Sequence, residues 1–162
     1  MVVILMGVAG SGKTTVGRRL ASQMGWNFYE GDDFHSSSNI EKMTRGVALN
    51  DSDRQPWLDA LQQLIANLLR RAENAEIACS ALKKIFRERL LLNEQVKLVY
   101  LKGDFHLIEA RLKARSGHFM APELLREQFA ILEEPEDAFH ADVSQSVDDI
   151  VASIRDYLKF AQ

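Results

Sequence analysis

Five apolar residues, Val2-Val3-Ile4-Leu5-Met6, open the chain and run directly into Gly7. An unbroken apolar run of that length, closed by a glycine, reads as a strand buried on both faces. From Lys13 to Met24 the period changes: Val16, Leu20 and Met24 recur every four residues, and Gly25 supplies a stop, which predicts a helix. Asn27-Phe28-Tyr29-Glu30 reads as a short second strand, broken by Gly31-Asp32-Asp33. Ser36-Ser37-Ser38-Asn39 offers a cap for a short helix near 40–45. Pro56 suits the first turn of a longer helix running to about Glu73, on which Leu58, Leu61, Leu64, Ile65, Leu68 and Leu69 form a wide apolar stripe.

The alternation continues to the end of the chain. It predicts a strand at 76–80, a helix at 82–92 and a strand at 96–101. Helices follow at 104–115 and 122–133, then a weak strand near 140–144 and a last helix for which Ser146 and Asp149 form a capping box. Strands separated by helices imply an α/β protein, a parallel sheet with helices on both faces. A chain of 162 residues fits one domain, 1–162, and its 27% charged and 46% apolar residues exclude a disordered polymer.

Composition narrows the setting. A net charge of -3 argues against a general nucleic-acid binder. The opening apolar run is far short of the roughly 20 residues of a membrane helix and lacks the flanks of a signal peptide. The single cysteine, Cys79, gives neither a disulfide framework nor a zinc cluster, which points to the cytoplasm, and its surroundings read as core.

The chemistry begins at Gly7-Val8-Ala9-Gly10-Ser11-Gly12-Lys13-Thr14, which fits G-x-x-x-x-G-K-[ST]. Such a string arises by chance on the order of once in 200 chains of this length. Here it also falls between a predicted strand and a predicted helix, where its mechanism requires it. Glycines let successive N–H groups curl inward onto phosphate oxygens, and the helix N-terminus adds positive potential. Lys13 is placed to reach the outer phosphates, the Thr14 hydroxyl to ligate Mg²⁺, and Thr15 follows in the same turn. These features predict ATP binding along Gly7–Thr15.

Other P-loop classes lack their marks. Neither a D-x-x-G switch nor an N-K-x-D string occurs, and the predicted third strand ends in Ala78-Cys79-Ser80 rather than in Asp or Asp-Glu. A small-molecule kinase remains. Asp32, in the acidic cluster Glu30-Gly31-Asp32-Asp33, sits where open α/β sheets bind ligands, and such a carboxylate can take the proton of an attacking hydroxyl. A solvated turn is the plainer alternative. Lys83 and Arg87, and likewise Arg111 and Arg115, are like charges four residues apart on predicted helices, so an anion between them would relieve repulsion. Arg111 and Arg115 precede Ser116-Gly117-His118, an arrangement suited to a mobile lid over the transferring phosphate, at about 111–130. His35 is a candidate polyol contact and His118 a candidate lid residue; both also suit plain surface positions. Kinases for other small acceptors, and a regulatory ATP-binding module without catalysis, are the competing readings.

Longer strings carry a closer likeness. Gly31-Asp32-Asp33-Phe34-His35, Asn39-Ile40-Glu41-Lys42-Met43, Leu49-Asn50-Asp51-Ser52-Asp53-Arg54-Gln55-Pro56-Trp57-Leu58, Cys79-Ser80-Ala81-Leu82-Lys83-Lys84 and Gly117-His118-Phe119-Met120 follow the P-loop in order. With them the chain resembles the gluconokinase branch of the shikimate kinase-like P-loop kinases over nearly its whole length. The resemblance implies a three-layer P-loop NTPase fold with a five-stranded parallel sheet and a helical lid. It implies phosphorylation of D-gluconate at its terminal hydroxyl by ATP with Mg²⁺, and commonly a homodimer. By position it implies Asp32 as the partner of the acceptor hydroxyl, and His35, Lys42, Arg45, Arg54, Ser80, Lys83 and Arg87 with it as acceptor-binding; together with Lys13 of the loop and the lid pair Arg111 and Arg115, Asp32 completes the expected catalytic set. Glu30 stands where the family commonly has Asp, and Phe86 where Tyr is frequent.

Overall fold

In the computed structural model, which describes residues 1–114 and 122–160, β1 (Val2–Met6) lies at the centre of the sheet. It pairs in parallel with β3 (Ala75–Ala78) on one side and β4 (Val96–Lys102) on the other. β2 (Asn27–Glu30) lies outside β3, and β5 (Phe139–Asp142) outside β4. The order is β2-β3-β1-β4-β5. All five residues of β1 are buried, which is why that segment reads as apolar without alternation.

Alternation nonetheless decides which helix each residue meets. Val2, Ile4 and Met6 face α3 (Asp51–Arg70) and α4 (Lys84–Leu90), packing with Trp57, Leu58, Leu61, Ile65, Phe86 and Leu90. Val3 and Leu5 face α1 (Lys13–Met24) and α7 (Val147–Phe160), packing with Val16, Leu20, Ile150, Val151, Ile154 and Leu158. A third cluster joins Val8 of the phosphate loop to Ile108 of α5 (Phe105–Ala114) and Leu125 of α6 (Pro122–Ile131). No helix among the described residues is long and apolar enough to cross a membrane.

The long helix starts earlier than Pro56. α3 begins at Asp51, capped by Asn50 in a reciprocal box: Asp53 N–H donates to Asn50 Oδ1 at 2.8 Å and Asn50 N–H to Asp53 Oδ2 at 3.0 Å. Pro56 therefore sits inside the helix. It is exposed there, as is Ser52, whose carbonyl loses its partner to the proline, so water can satisfy that group. The helix ends at Arg70, short of Glu73. α2 (Ser37–Thr44) is capped by Ser36, whose Oγ accepts from Asn39 N–H. At α7 the expected box is one-sided: Ser146 Oγ accepts from Asp149 N–H at 3.2 Å, but the Asp149 carboxylate accepts from that same hydroxyl at 2.6 Å. Of the expected lid, Arg115 through Ala121 lie outside the described residues. The flanking α5 and α6 pack on the phosphate loop.

Candidate active site

The loop between β1 and α1 curls because its glycines take conformations other residues resist. φ is +79° at Gly10 and +97° at Gly12. No side chain caps α1, so its first N–H groups face the loop opening, where anions are stabilised. Lys13 Nζ folds back over the loop and donates to the carbonyls of Gly7 (2.9 Å) and Val8 (3.0 Å). Ser11 Oγ is buried and has no hydrogen-bond partner among the described residues. The N–H of Ala9 is engaged from α6, by Gln128 Oε1 at 2.7 Å.

With β3 between it and β1, β2 brings Glu30 to the same place. Thr14 Oγ1 donates to Glu30 Oε2 at 2.7 Å. Burial pushes the Glu30 carboxyl above its ordinary range, and the Thr14 bond works against that rise. The chain then turns through a short 3₁₀ segment, Gly31–Phe34. A side chain at Gly31 would come within 2.5 Å of the Ala78 carbonyl, so only glycine lets β2 pass this close to β3. The turn is fixed from α3: Trp57 Nε1 donates to the Gly31 carbonyl at 2.7 Å. His35 stacks on Trp57, ring centroids 4.7 Å apart and 8° from coplanar, with its Nδ1 3.4 Å from Asn39 Nδ2. Burial pushes the His35 imidazole below its ordinary pKa, so it is neutral at pH 7; its Nε2 stands 4.0 Å from Asp32, beyond hydrogen-bond reach. Asp32 itself is open to solvent, its side chain 67% exposed.

Cys79, at the end of β3, records this convergence. Burial pushes its thiol up to about 12, and Asp32, Lys13 and Glu30 all act on it electrostatically. Lys13 of the phosphate loop, Glu30 of β2 and Asp32 of the turn after it thus lie within electrostatic reach of one thiol. The thiol is a core group as expected, and at neutral pH it is no nucleophile.

The basic residues divide into separate arrangements. Lys42 of α2 donates to Asp53 Oδ1 at 2.8 Å, and Asn39 Nδ2 donates to the Asp53 carbonyl at 2.6 Å, which ties α2 to the start of α3. Lys83 donates to both oxygens of Asp51, each at 2.8 Å, with Arg54 Nη1 3.4 Å from the same carboxylate. Arg45 pairs with Glu41 in the open, away from these contacts.

Two arrangements differ from the expected geometry. Lys83 precedes α4 in extended backbone rather than sharing a helix face with Arg87. Arg87 turns inward, and its Nη1 donates to the carbonyls of Ala81 (3.1 Å) and Leu82 (2.9 Å). Those bonds clamp a strained turn, since Ala81 holds a left-handed φ of +41°. No anion is needed to relieve a Lys83–Arg87 repulsion. Ser80, just before the turn, accepts the Gly7 N–H at its carbonyl, 3.4 Å away, which joins this turn to the phosphate loop. Arg111 donates to the Val143 carbonyl after β5, so its guanidinium is engaged at the sheet's far side; its partner Arg115 lies outside the described residues, as does His118.

Sequence reasoning missed four residues that shape the site: Trp57, Asp51, Gln128 and Glu133. Trp57 carried a usable signal, because a buried indole N–H requires an acceptor. The others did not. Gln128 meets Ala9 across 119 residues, and Glu133, whose carboxylate accepts the Lys84 N–H, does so across 49.

For a magnesium ion the donor set is suitable. Mg²⁺ takes hard oxygens and keeps several waters, so it needs few protein ligands. The Thr14 hydroxyl with the Glu30 carboxylate beside it meets that need, and among the described residues no group of three or more His, Cys, Asp or Glu forms a cage for another metal.

The likeness to known proteins extends over the whole chain. The shikimate kinase family model matches residues 9–158. The thermoresistant gluconokinase of Escherichia coli (strain K12) is 44% identical, covering 98% of this chain and 93% of that protein. A probable gluconokinase of Rattus norvegicus is 42% identical, covering 98% and 97%. Among solved structures, a gluconokinase from Sinorhizobium meliloti 1021 superposes with a TM-score of 0.85 at 35% identity, over 98% of this chain and 95% of that one. The shikimate kinase of Aquifex aeolicus, at 17% identity and a TM-score of 0.63, shares the fold. Identity at this level, sustained from end to end, goes well beyond a shared fold, and the chain belongs to the shikimate kinase family, on its gluconokinase branch.

Proposed function

We propose that the protein transfers the γ-phosphoryl group of ATP to the terminal hydroxyl of D-gluconate, giving 6-phospho-D-gluconate and ADP. The observation that carries this reading is the juxtaposition of the phosphate loop with the acidic turn, joined by the Thr14–Glu30 bond at 2.7 Å, on a chain of the gluconokinase branch.

The chemistry follows from the residues. Within Gly7–Thr15, where the Gly7, Ala9 and Ser11 N–H groups already have partners in Ser80, Gln128 and Val8, the other loop N–H groups and the N-terminus of α1 hold the phosphate oxygens. Lys13, whose ammonium now caps the Gly7 and Val8 carbonyls, turns its charge onto the β- and γ-phosphates. Mg²⁺, held by Thr14 with Glu30 behind it, supplies further charge neutralisation when bound. Asp32 orients the acceptor hydroxyl and takes its proton as the new O–P bond forms and the bond to the ADP oxygen breaks. The transition state is loose, so Asp32 contributes more through alignment than through basicity. His35, neutral and pinned by Trp57, presents a hydrogen-bonding edge to the polyol. Lys83, Arg54 and Lys42 supply positive charge for the substrate carboxylate, which separates a sugar acid from a neutral sugar. Ser80, Arg87 and Arg45 serve the same side less directly, Arg87 by holding the 81–82 turn. Arg115 adds charge from the lid, and Arg111 does so on leaving the Val143 carbonyl that it binds here. The reading extends to a homodimer, which the family resemblance supports, and to the cytoplasm, which the single cysteine supports.

The test is transfer of label. With terminally labelled ATP and Mg²⁺, label appears on gluconate and not on shikimate or glucose. Label that stays off gluconate removes the proposal.

A further inference from the structure

The cations assigned to the substrate carboxylate do not stand alone. Lys83 comes from the turn after β3 and Arg54 from the first turns of α3, yet both lie over the ring of Phe86, each 5.7 Å from its centroid. Two positive groups gathered at one ring repel each other, and the attraction of the ring for each is modest. A third element holds them together. Asp51, the first residue of α3, accepts from Lys83 at both carboxylate oxygens and lies 3.4 Å from Arg54. Lys83 pulls the Asp51 carboxyl below its ordinary range, so it stays ionised at all pH values near neutrality. Nearby, Asp53 matches Lys42.

The charges of this group then leave a remainder. Lys42, Arg54 and Lys83 are set against Asp51 and Asp53, so one positive charge is unbalanced. A single carboxylate balances it. Arg54 also acts electrostatically on His35, and so does Asp32, which puts this dibasic seat within reach of the acceptor turn.

We infer that Asp51 is a positioning residue for acceptor recognition: it bridges Lys83 and Arg54 over Phe86, fixing two cations as a seat for a monocarboxylate. Asp51 does not itself touch the reacting atoms. This inference rests on the gluconate reading above. Asp51→Asn keeps the size of the side chain and leaves the Asn50–Asp53 cap of α3 in place, but removes the charge that holds the cations together.

The measurement is a pair of kinetic profiles for wild type, Asp51→Asn and Asp51→Glu, varying gluconate and ATP separately. In Asp51→Asn the KM for gluconate rises about tenfold while kcat and the KM for ATP change less than about twofold, the pattern of lost ground-state binding at one substrate. Asp51→Glu recovers most of the gluconate affinity, which a purely structural role at the helix start would not produce, since either acid or amide suits that position. A gluconate KM that is unchanged or lower in Asp51→Asn, or one that rises together with the KM for ATP, overturns the inference and leaves the gluconate reading standing. No turnover of gluconate by the wild type overturns both.

Discussion

In the proposed reaction Lys13 and Asp32 act on different partners, and their substitution separates its two halves. Lys13→Ala removes the charge directed at the phosphates and leaves Gly7 and Val8 carbonyls that face a loop open to water. Turnover falls by about a thousandfold or more with circular dichroism unchanged, in the range of losing a principal transition-state charge. Asp32→Asn lowers kcat by about a hundredfold while ATP affinity, read by nucleotide titration, holds. A loss confined to ATP affinity would place Asp32 with the nucleotide instead. Arg87 presents the opposite case, a charged residue whose contacts are structural. Its guanidinium satisfies two carbonyls of a strained turn, so Arg87→Met leaves both unpaired and lowers stability by about 2 kcal/mol in urea unfolding. The sequence marked Arg87 as a basic partner for Lys83 through spacing alone. Only the inward path of its side chain, 5% exposed, shows what it holds.

Among the elements, the start of α3 joins more of the site than any other segment. Asn50 caps it, Asp51 holds Lys83, Asp53 completes the cap and holds Lys42, and Trp57 one turn later fixes the Gly31 carbonyl. Asn50→Ala removes one half of the capping box and lowers stability by about 1 kcal/mol. Because the same turn carries Asp51 and Asp53, it also raises the KM for gluconate about threefold, with the KM for ATP unaffected. Both are read in one thermal-melt and steady-state series. Placing the helix start at Pro56 followed the preference of proline for first turns, and missed the stronger signal of Asn50 with Asp53 three residues later. Elsewhere the periodicity located each helix and strand to within a few residues, since burial on one face is written in the apolar spacing. α6 shows what spacing omits: its Gln128 reaches the Ala9 N–H, so a helix predicted as part of a lid is tied to the phosphate loop.

At the level of the whole molecule, one buried acid sets a pH dependence unrelated to catalysis. Glu76 of β3 is fully buried beside Val3 and Phe28, and neither carboxylate oxygen has a hydrogen-bond partner among the described residues. Burial pushes its pKa from 4.5 up to about 9. The folded protein therefore keeps this proton while the unfolded chain releases it above pH 4.5. The contribution to stability is complete below that value, declines through neutrality, and is lost as pH passes about 9. The decline amounts to on the order of 3 kcal/mol by pH 7. Glu76→Gln removes this slope, so urea unfolding at pH 5 and pH 8 shows a smaller difference in the variant than in the wild type. An equal difference in both would mean that Glu76 does not carry the dependence. By itself the amino-acid order determined the phosphate loop, the alternation of strands and helices, and the acidic turn after β2, because each rests on contacts within a few residues or on a period of burial. The strand order, the pairing of Asp51 with Lys83, the clamp of Trp57 on Gly31 and the engagement of Ala9 by Gln128 join residues tens of positions apart. Those were decided only by tertiary structure, since hydrogen bonds and charge pairs of that range leave no local pattern and exist only once the sheet has brought their elements together.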